Sequence, residues 1–238
     1  MNITAIPGIA RSLAALLCVA ALSSPVSGAE GDLVDDALRA AYRASQAGDN
    51  GRALGLYMSA LTMLDEQSLY RIPTVMGEML TLAQTYPAAR TYLEERREPL
   101  EMQVLSETPG NALIWEWVAL SEGLDGNTQR ILRVYDTVHD RAHAPQIANF
   151  VWQDLARLER YQEIETVLVV RSQQWVADTG ALVVELKKQG PDHEAYVELA
   201  PLFVEAGDLL VRGLAAVGRD QELRDVRRLV SELDILTD

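Results

Sequence analysis

The sequence predicts an all-α protein built from antiparallel helical hairpins. The most informative stretch is Asn111 to Val138, where two amphipathic segments flank a short turn. Ile131, Tyr135 and Val138 recur at helical spacing on one stripe of the second segment. Turn-forming residues also separate similar segments elsewhere in the chain. A single hairpin leaves apolar faces uncovered, so we expect further hairpins to stack on this one.

The turn of the central hairpin is predicted from residue chemistry. Gly123, Gly126 and Asn127 tolerate a positive φ and commonly end helices. Asn127 and Thr128 are also good caps for the helix that follows. The segment before the turn is apolar on most sides, which is typical of a helix packed between neighbours.

The other helices are predicted from the same apolar periodicity. Turn residues 48–51 divide the first hairpin, and Pro99 predicts a kink or break. The charged run Glu94 to Glu98 predicts a solvated helix face. The other predicted helical segments are Asp32 to Leu64 as a hairpin, Ser68 to Thr85, Pro87 to Leu105, Pro145 to about Glu159, Gln162 to Val176, Ala181 to Gln189, Asp192 to Val217 with an interruption near Pro201 or Gly207, and Leu223 to Leu236.

One segment leaves two interpretations open. Thr166 to Val170 is rich in β-branched residues, and Ala181 to Val184 is the nearest candidate partner strand. A two-stranded insertion is therefore the alternative to helix across residues 164–184. An otherwise helical chain favours the helical interpretation.

The central hairpin resembles the tetratricopeptide repeat, whose first helix follows W-x2-L-G-x2-Y and whose second carries A-x3-F before a proline. Glu122 replaces the tyrosine, and no proline follows at the expected place. Residues that match this pattern are Trp115, Val118, Ala119, Ile131 and Tyr135. A second copy uses Ala37, Ala40, Ala41, Ala53, Tyr57 and Ala60. A third, weaker copy uses Leu210, Gly213, Leu214, Val217, Val226, Val230 and Leu233.

These copies cover about half of the chain that follows residue 29. The resemblance implies an α-solenoid with the right-handed superhelix of tetratricopeptide proteins, about ten helices in one domain over residues 30–238. It also implies a groove that binds other proteins.

The first 29 residues have the features of a cleaved secretory signal peptide. Arg11 is their only charge, Leu13 to Leu22 form an apolar run, and small residues precede a predicted cleavage after Ala29. The run is too short to span a bilayer comfortably, although an uncleaved anchor is the alternative. We therefore expect a periplasmic or secreted protein without stable membrane insertion after cleavage.

Composition excludes several classes of partner and site. The chain has 21 basic and 35 acidic residues, a formal net charge of −14, and loss of Arg11 makes this about −15. Nucleic acid and anionic lipid are therefore poor partners. Cys18 is the only cysteine and leaves with the signal peptide, so no disulfide, thiolate nucleophile or cysteine metal site remains.

The strongest hint of a metal or ligand site is His139 with His143, one helical turn apart. The pair lacks an evident third ligand, and Pro145 places His143 near a helix end. We find no P-loop, G-x-S-x-G, G-x-G-x-x-G or calcium-loop pattern. The sequence therefore predicts a non-catalytic protein without cofactor or metal, and a helical carrier or enzyme using His139 and His143 is the alternative.

Candidate partner-binding residues are the four tryptophans, which lie in the middle of the chain. Two of them, Trp115 and Trp117, are two residues apart on a helix, so their side chains point about 200° apart. Only one of the two fits into a given core, and the other is a candidate for a groove; core packing is the alternative for each. The complete set is Trp115, Trp117, Trp152 and Trp175.

The predicted function is that of an exported adaptor or scaffold for envelope or secreted proteins. An acidic groove would favour a basic or amphipathic segment of a partner.

Overall fold

The computed structural model describes residues 29–64, 69–189 and 194–237. In these ranges the chain forms ten α-helices, two short 3₁₀ helices and no β-strand, which confirms the all-α prediction. Except for Ala29, the predicted signal peptide lies outside the described residues. The α-helices are α1 (Ala29–Gln46), α2 (Asn50–Thr62), α3 (Ile72–Ala83), α4 (Pro87–Val104), α5 (Asn111–Asp125), α6 (Gln129–Val138), α7 (Ala144–Arg157), α8 (Glu165–Gln189), α9 (Glu194–Ala216) and α10 (Asp220–Thr237), and the 3₁₀ helices are Leu69–Arg71 and Tyr161–Ile164.

Three helix connections turn at a glycine with positive φ, a conformation that suits glycine because it lacks Cβ. These are Gly48 at +78°, Gly126 at +68° and Gly218 at +73°. Next to the first of them, a carboxylate oxygen of Asp49 accepts the backbone N–H of Arg52 at 3.3 Å and caps α2. The predicted turn at Gly126 is confirmed, and that at residues 48–51 is confirmed for Gly48 and Asp49, whereas Asn50 and Gly51 already belong to α2.

The turn role predicted for Gly123 is wrong. This glycine lies inside α5, and a Cβ at its position would overlap the Leu80 side chain on α3. Its missing side chain therefore lets α3 and α5 approach closely, which a glycine can also provide within a helix.

Two predicted interruptions and one predicted helix boundary are also wrong. The helix α4 has no break at Pro99, and α9 continues through both Pro201 and Gly207. Residues 165–189 form one helix, α8, so the two-stranded alternative fails and no separate helix begins at Ala181. Interior proline costs a hydrogen bond, and here tertiary packing outweighs that cost.

Cα packing divides the chain into two compact units, Met1–Ile147 (unit 1) and Ala148–Asp238 (unit 2), and α7 contributes residues to both. The single domain predicted for residues 30–238 stays a prediction.

Unit 1 is built by successive packing along the chain. Here α1 packs on α2, α2 on α3, α3 on α4, α4 on α5, and α5 on α6. In addition, α3 packs on α5 directly. The largest fully buried side chains of this unit include Tyr57, Met76, Met79, Leu93, Ile114, Trp117, Leu120, Ile131 and Tyr135.

Unit 2 is centred on α8, α9 and α10, which all pack against one another. The 3₁₀ helix Tyr161–Ile164 packs on α8 and α9. At two glycines of α9 the neighbouring helix comes very close: a Cβ at Gly213 would lie 2.9 Å from Cδ1 of Leu168 on α8, and Gly207 is similarly crowded.

Arg171 on α8 is largely buried in unit 2. Its Nη2 donates to the carbonyl oxygen of Asn149 at 2.7 Å, and its Nη1 donates to Oε1 of Gln174 at 3.3 Å. Burial lowers the pKa of Arg171. The Asn149 carbonyl lies just before Val151, where α7 departs from helical geometry at φ −114° and ψ 18°. A side chain that binds a helix carbonyl is a known cause of such kinks.

Asp178 on the same helix gives a pH-dependent prediction. Burial raises the pKa of its carboxyl. The folded state therefore binds the proton of Asp178 more tightly than the unfolded state does. Ionised Asp178 consequently lowers the free energy of unfolding at neutral pH, and this loss disappears below the unfolded pKa, where the carboxyl is protonated in both states. We expect Asp178→Asn to raise the free energy of unfolding at pH 7 by less than about 1 kcal/mol, because solvent screens a partly exposed group.

Urea denaturation at neutral pH and at about pH 3 checks this expectation, because an unfolded aspartate titrates near 3.9. The gain should vanish at the lower pH. Asp208→Asn, at an exposed position of α9, is the control. A gain of equal size at both pH values would show that the substitution acts through something other than charge.

Candidate peptide-binding groove

Unit 1 contains a groove of about 600 Å³. The end of α2, the start of α3, one face of α4 and the start of α5 form its walls. Its lining combines apolar side chains with two carboxylates, one guanidinium and one amide. The lining residues are Leu61, Leu64, Ile72, Tyr92, Glu95, Arg96, Pro99, Leu100, Gln103, Ala112, Leu113 and Glu116.

The longest wall is α4, which begins with Pro87 in the first helical turn, where proline is tolerated. Its buried face anchors it to the core of unit 1 through Leu93 and Val104. Glu95, Pro99 and Gln103 recur every four residues and are exposed, so they form a rim about 12 Å long.

Arg96 on α4 and Glu116 on α5 form an ion pair in the wall. The Nη2 of Arg96 donates to Oε2 of Glu116 at 3.0 Å, and the Nε of Arg96 donates to Oε1. Glu116 is only 8% exposed, and Arg96 is half-buried. Hydrogen bonding to Glu116 raises the pKa of Arg96. The pair joins α4 to α5 and neutralises the one basic side chain of the lining.

Further polar contacts join α4 to α5 and α6. The Nη1 of Arg97 on α4 donates a hydrogen bond to Oδ1 of Asp125, the last residue of α5, at a distance of 2.6 Å. The Oε2 of Glu101 on α4 accepts two hydrogen bonds, one from Nε of Arg130 on α6 at 2.5 Å and one from Nε1 of Trp117 on α5 at 3.3 Å. The wall of the groove is thus tied to two following helices.

These contacts correct the interpretation of the charged run Glu94 to Glu98. The sequence predicts a solvated helix face for this run. Glu94 does pair with Arg90 four residues earlier, at 2.8 Å. Arg96 and Arg97 instead pair with α5, because the packing of α4 against α5 brings these helices into reach.

The wall gives a stability prediction. We expect Glu116→Ala to lower the free energy of unfolding by about 2 kcal/mol, because half-buried Arg96 would lose both carboxylate oxygens of its ion pair. Glu94→Ala removes an exposed partner on the same helix and should cost less than about 0.5 kcal/mol. Urea denaturation of both variants measures the difference. Equal costs would mean that the Arg96–Glu116 pair contributes no more than a surface pair.

The four tryptophans lie in different environments. Trp117 is 0% exposed, and Trp152 and Trp175 are also buried, with Trp175 Nε1 donating to the carbonyl oxygen of Phe203 at 3.0 Å. Trp115 is partly exposed on α5, next to the lining residue Glu116. The opposite directions predicted for Trp115 and Trp117 are consistent with these positions. The partner-binding role of the tryptophans stays a prediction, and Trp115 is the accessible candidate.

The two histidines are also placed differently. His139 is exposed just after α6, with Nδ1 2.9 Å from the carbonyl oxygen of Asp136. His143 is 5% exposed, and neither ring nitrogen has a hydrogen-bond partner among the described residues. Across residues 29–64, 69–189 and 194–237, no group of three or more His, Cys, Asp or Glu side chains is arranged to hold a metal ion.

Sequence reasoning did not find most of the groove. It pointed to tryptophans, whereas the lining draws its aromatic group from Tyr92 and its charges from Glu95, Arg96 and Glu116. The mixed-charge run beside Pro99 did not indicate a groove, because such a run is typical of a solvated helix face.

No protein-family model matches the chain, and comparison with curated proteins and with solved structures finds no similar protein. In the part of the chain that the structure describes, no helix combines the length and the hydropathy needed to cross a bilayer.

Proposed function

We propose that this protein is an exported, non-catalytic adaptor or scaffold that binds a segment of another protein in the groove of unit 1. The observation that carries the proposal is the groove itself. It has an accessible rim and apolar lining residues, and the Arg96–Glu116 ion pair joins two of the helices that form its walls. A peptide segment needs such a combination, because apolar pockets supply affinity and a few placed polar groups fix orientation.

The arrangement of helices in unit 1 supports a tetratricopeptide-like solenoid as its architecture. Consecutive helices pack on each other, and α3 also packs on α5, which is the first helix of the next hairpin. Contacts between equivalent helices of neighbouring hairpins are expected when hairpins stack. At Gly123 there is no room for a Cβ beside Leu80 on α3, so the stacking of α3 and α5 is tight there.

The composition of the chain supports the location that we propose. The N-terminal segment has the pattern of a secretory signal, and we propose cleavage after Ala29 and release into the periplasm or the medium. The strongly acidic chain favours protein partners over nucleic acid or anionic lipid. Envelope or secreted proteins are therefore the proposed partners.

Affinity purification from the native envelope fraction tests the proposal, with groove variants beside the unchanged protein. Leu113→Arg places a charge on the apolar lining of α5, and Met102→Arg is the matched control at a site on α4 that is 71% exposed and outside the lining. We expect a stoichiometric partner that Leu113→Arg loses and Met102→Arg retains. Circular dichroism and thermal melting establish that both variants are folded.

Trp115→Ala belongs in the same experiment, because Trp115 is partly exposed and precedes the lining residue Glu116 in sequence. Loss of the partner in this variant would extend the binding surface to Trp115. A partner retained equally by Leu113→Arg and the unchanged protein would contradict the groove as the binding site.

A further inference from the structure

The charges of the groove lining leave one side chain without a counter-charge. Arg96 and Glu116 neutralise each other through two hydrogen bonds. Among the described residues, the carboxylate of Glu95 is exposed on the rim, with no hydrogen bond or ion pair. Apart from Arg96, the described lining residues include no basic side chain that could compete for it. A cation arriving in the groove would therefore meet an available carboxylate.

The backbone adds a second acceptor at the same residue. In a regular helix the carbonyl oxygen of Glu95 accepts the N–H of the residue four positions later. That residue is Pro99, which lies inside α4 and has no N–H. The Glu95 carbonyl therefore lacks its usual donor next to the groove. Backbone carbonyls without a helix partner need another donor, and a bound ligand is one of the groups that can provide it.

The two acceptors suit a lysine ammonium or an arginine guanidinium. Lysine has three donors and arginine five, so either can bond to more than one oxygen. Asp and Glu side chains would instead be repelled by Glu95, and the chain as a whole has a formal net charge of −14.

The other lining residues indicate which residues of the partner segment flank its lysine or arginine. Leu61, Leu64 and Leu113 offer an apolar surface, and Gln103 offers an amide at the other end of the rim. Glu95 and Gln103 are eight residues apart, about 12 Å along the helix. An extended peptide covers that distance in about four residues.

We infer that the groove takes a partner segment in which a lysine or arginine is followed or preceded by apolar residues, with the basic side chain on the carboxylate and carbonyl oxygens of Glu95. This inference rests on the proposed function, because it assigns the partner chemistry of the same groove.

Two labelled synthetic peptides test it by fluorescence anisotropy at low salt. Both consist of leucine and alanine flanked by glycine, and they differ in a single central residue, lysine in one and glutamate in the other. We expect the protein to bind the lysine peptide about tenfold more tightly. Glu95→Lys should reverse this preference. Asp140→Lys, an equal change of charge at an exposed position outside the lining, should retain it.

Pro99→Ala tests the carbonyl separately. The alanine restores an N–H that can donate to the Glu95 carbonyl within α4, so we expect the preference for the lysine peptide to fall about threefold while the carboxylate remains. An unchanged preference in this variant would remove the carbonyl from the site.

The contradicting outcomes separate the two proposals. Equal binding of both peptides, or a lysine preference that survives Glu95→Lys, would overturn the role of Glu95. If Leu113→Arg still abolished binding in that case, the groove would stand as the binding site. Failure of the unchanged protein to bind either peptide would overturn this inference and count against the groove.

Discussion

Replacing Trp117 with alanine is expected to lower the free energy of unfolding by about 3–5 kcal/mol, the range for removing a large aromatic side chain from a core. Trp117 is 0% exposed in unit 1, and its Nε1 donates to Glu101 at 3.3 Å. Alanine would leave a cavity between α5 and its neighbours and would also remove one of the two donors bound to Glu101. A loss of this size is a large fraction of the stability of a typical domain.

The matched control is Trp115→Ala, two residues earlier on the same helix. Trp115 is partly exposed, so its replacement should cost less than half as much as that of Trp117. Urea denaturation followed by circular dichroism compares the two variants on one scale. Similar losses would contradict the assignment of Trp117 to the core and Trp115 to the surface. Because Trp117 is buried, Trp115→Ala is the informative variant for partner binding.

The second large effect is expected at Gly207 in unit 2. A Cβ at this position would lie 2.5 Å from Cγ2 of Val230 on α10 and 2.7 Å from Cζ2 of Trp175 on α8. The Trp175 ring resists displacement, because it is buried and its Nε1 is bonded to the carbonyl of Phe203. We expect Gly207→Ala to lower the free energy of unfolding by about 2–3 kcal/mol through overpacking.

Gly180→Ala provides a control of opposite sign. This glycine lies inside α8, and a Cβ there would have no neighbour within 4 Å. Alanine should therefore stabilise the helix by about 0.5–1 kcal/mol, the usual gain over an interior glycine. Thermal and urea denaturation of both variants measure the contrast. A loss in Gly180→Ala, or no loss in Gly207→Ala, would contradict the close packing of α8, α9 and α10 around Gly207.

Features governed by neighbouring residues were predictable from the sequence. The turns at Gly48 and Gly126 depend on glycines in the left-handed region, and local chemistry determines them. The amphipathic stripe of Ile131, Tyr135 and Val138 is likewise buried as its spacing predicts.

Features governed by distant contacts were not predictable in this way. Gly123 has the composition of a turn residue, but contact with Leu80 on another helix decides its role. Pro99 carries a local penalty for helix, which the burial of Leu93, Leu100 and Val104 on the same helix offsets. Likewise, the β-branched residues of α8 favour a strand by propensity, and packing on α9 and α10 decides for helix.

The groove escaped prediction for the same reason. The ion pair in its wall joins Arg96 and Glu116, which are twenty residues apart in sequence and meet because α4 packs on α5. Apolar residues such as Leu61 and Leu113 look like ordinary core positions in the sequence. The tryptophans are predicted to bind a partner because large aromatic side chains are frequent at interfaces, yet three of the four are buried.

Site-specific photo-crosslinking in cells that export the protein tests the central claim most directly. A photoreactive phenylalanine analogue replaces Gln103 on the rim of the groove, or Thr137 at an exposed position of α6 outside the lining. If the groove binds a protein partner, irradiation yields a discrete adduct from position 103, none from position 137, and none from position 103 when Leu113→Arg is also present. Adducts of equal yield from both positions, or no adduct from position 103, would contradict the groove as the site where this protein binds its partner.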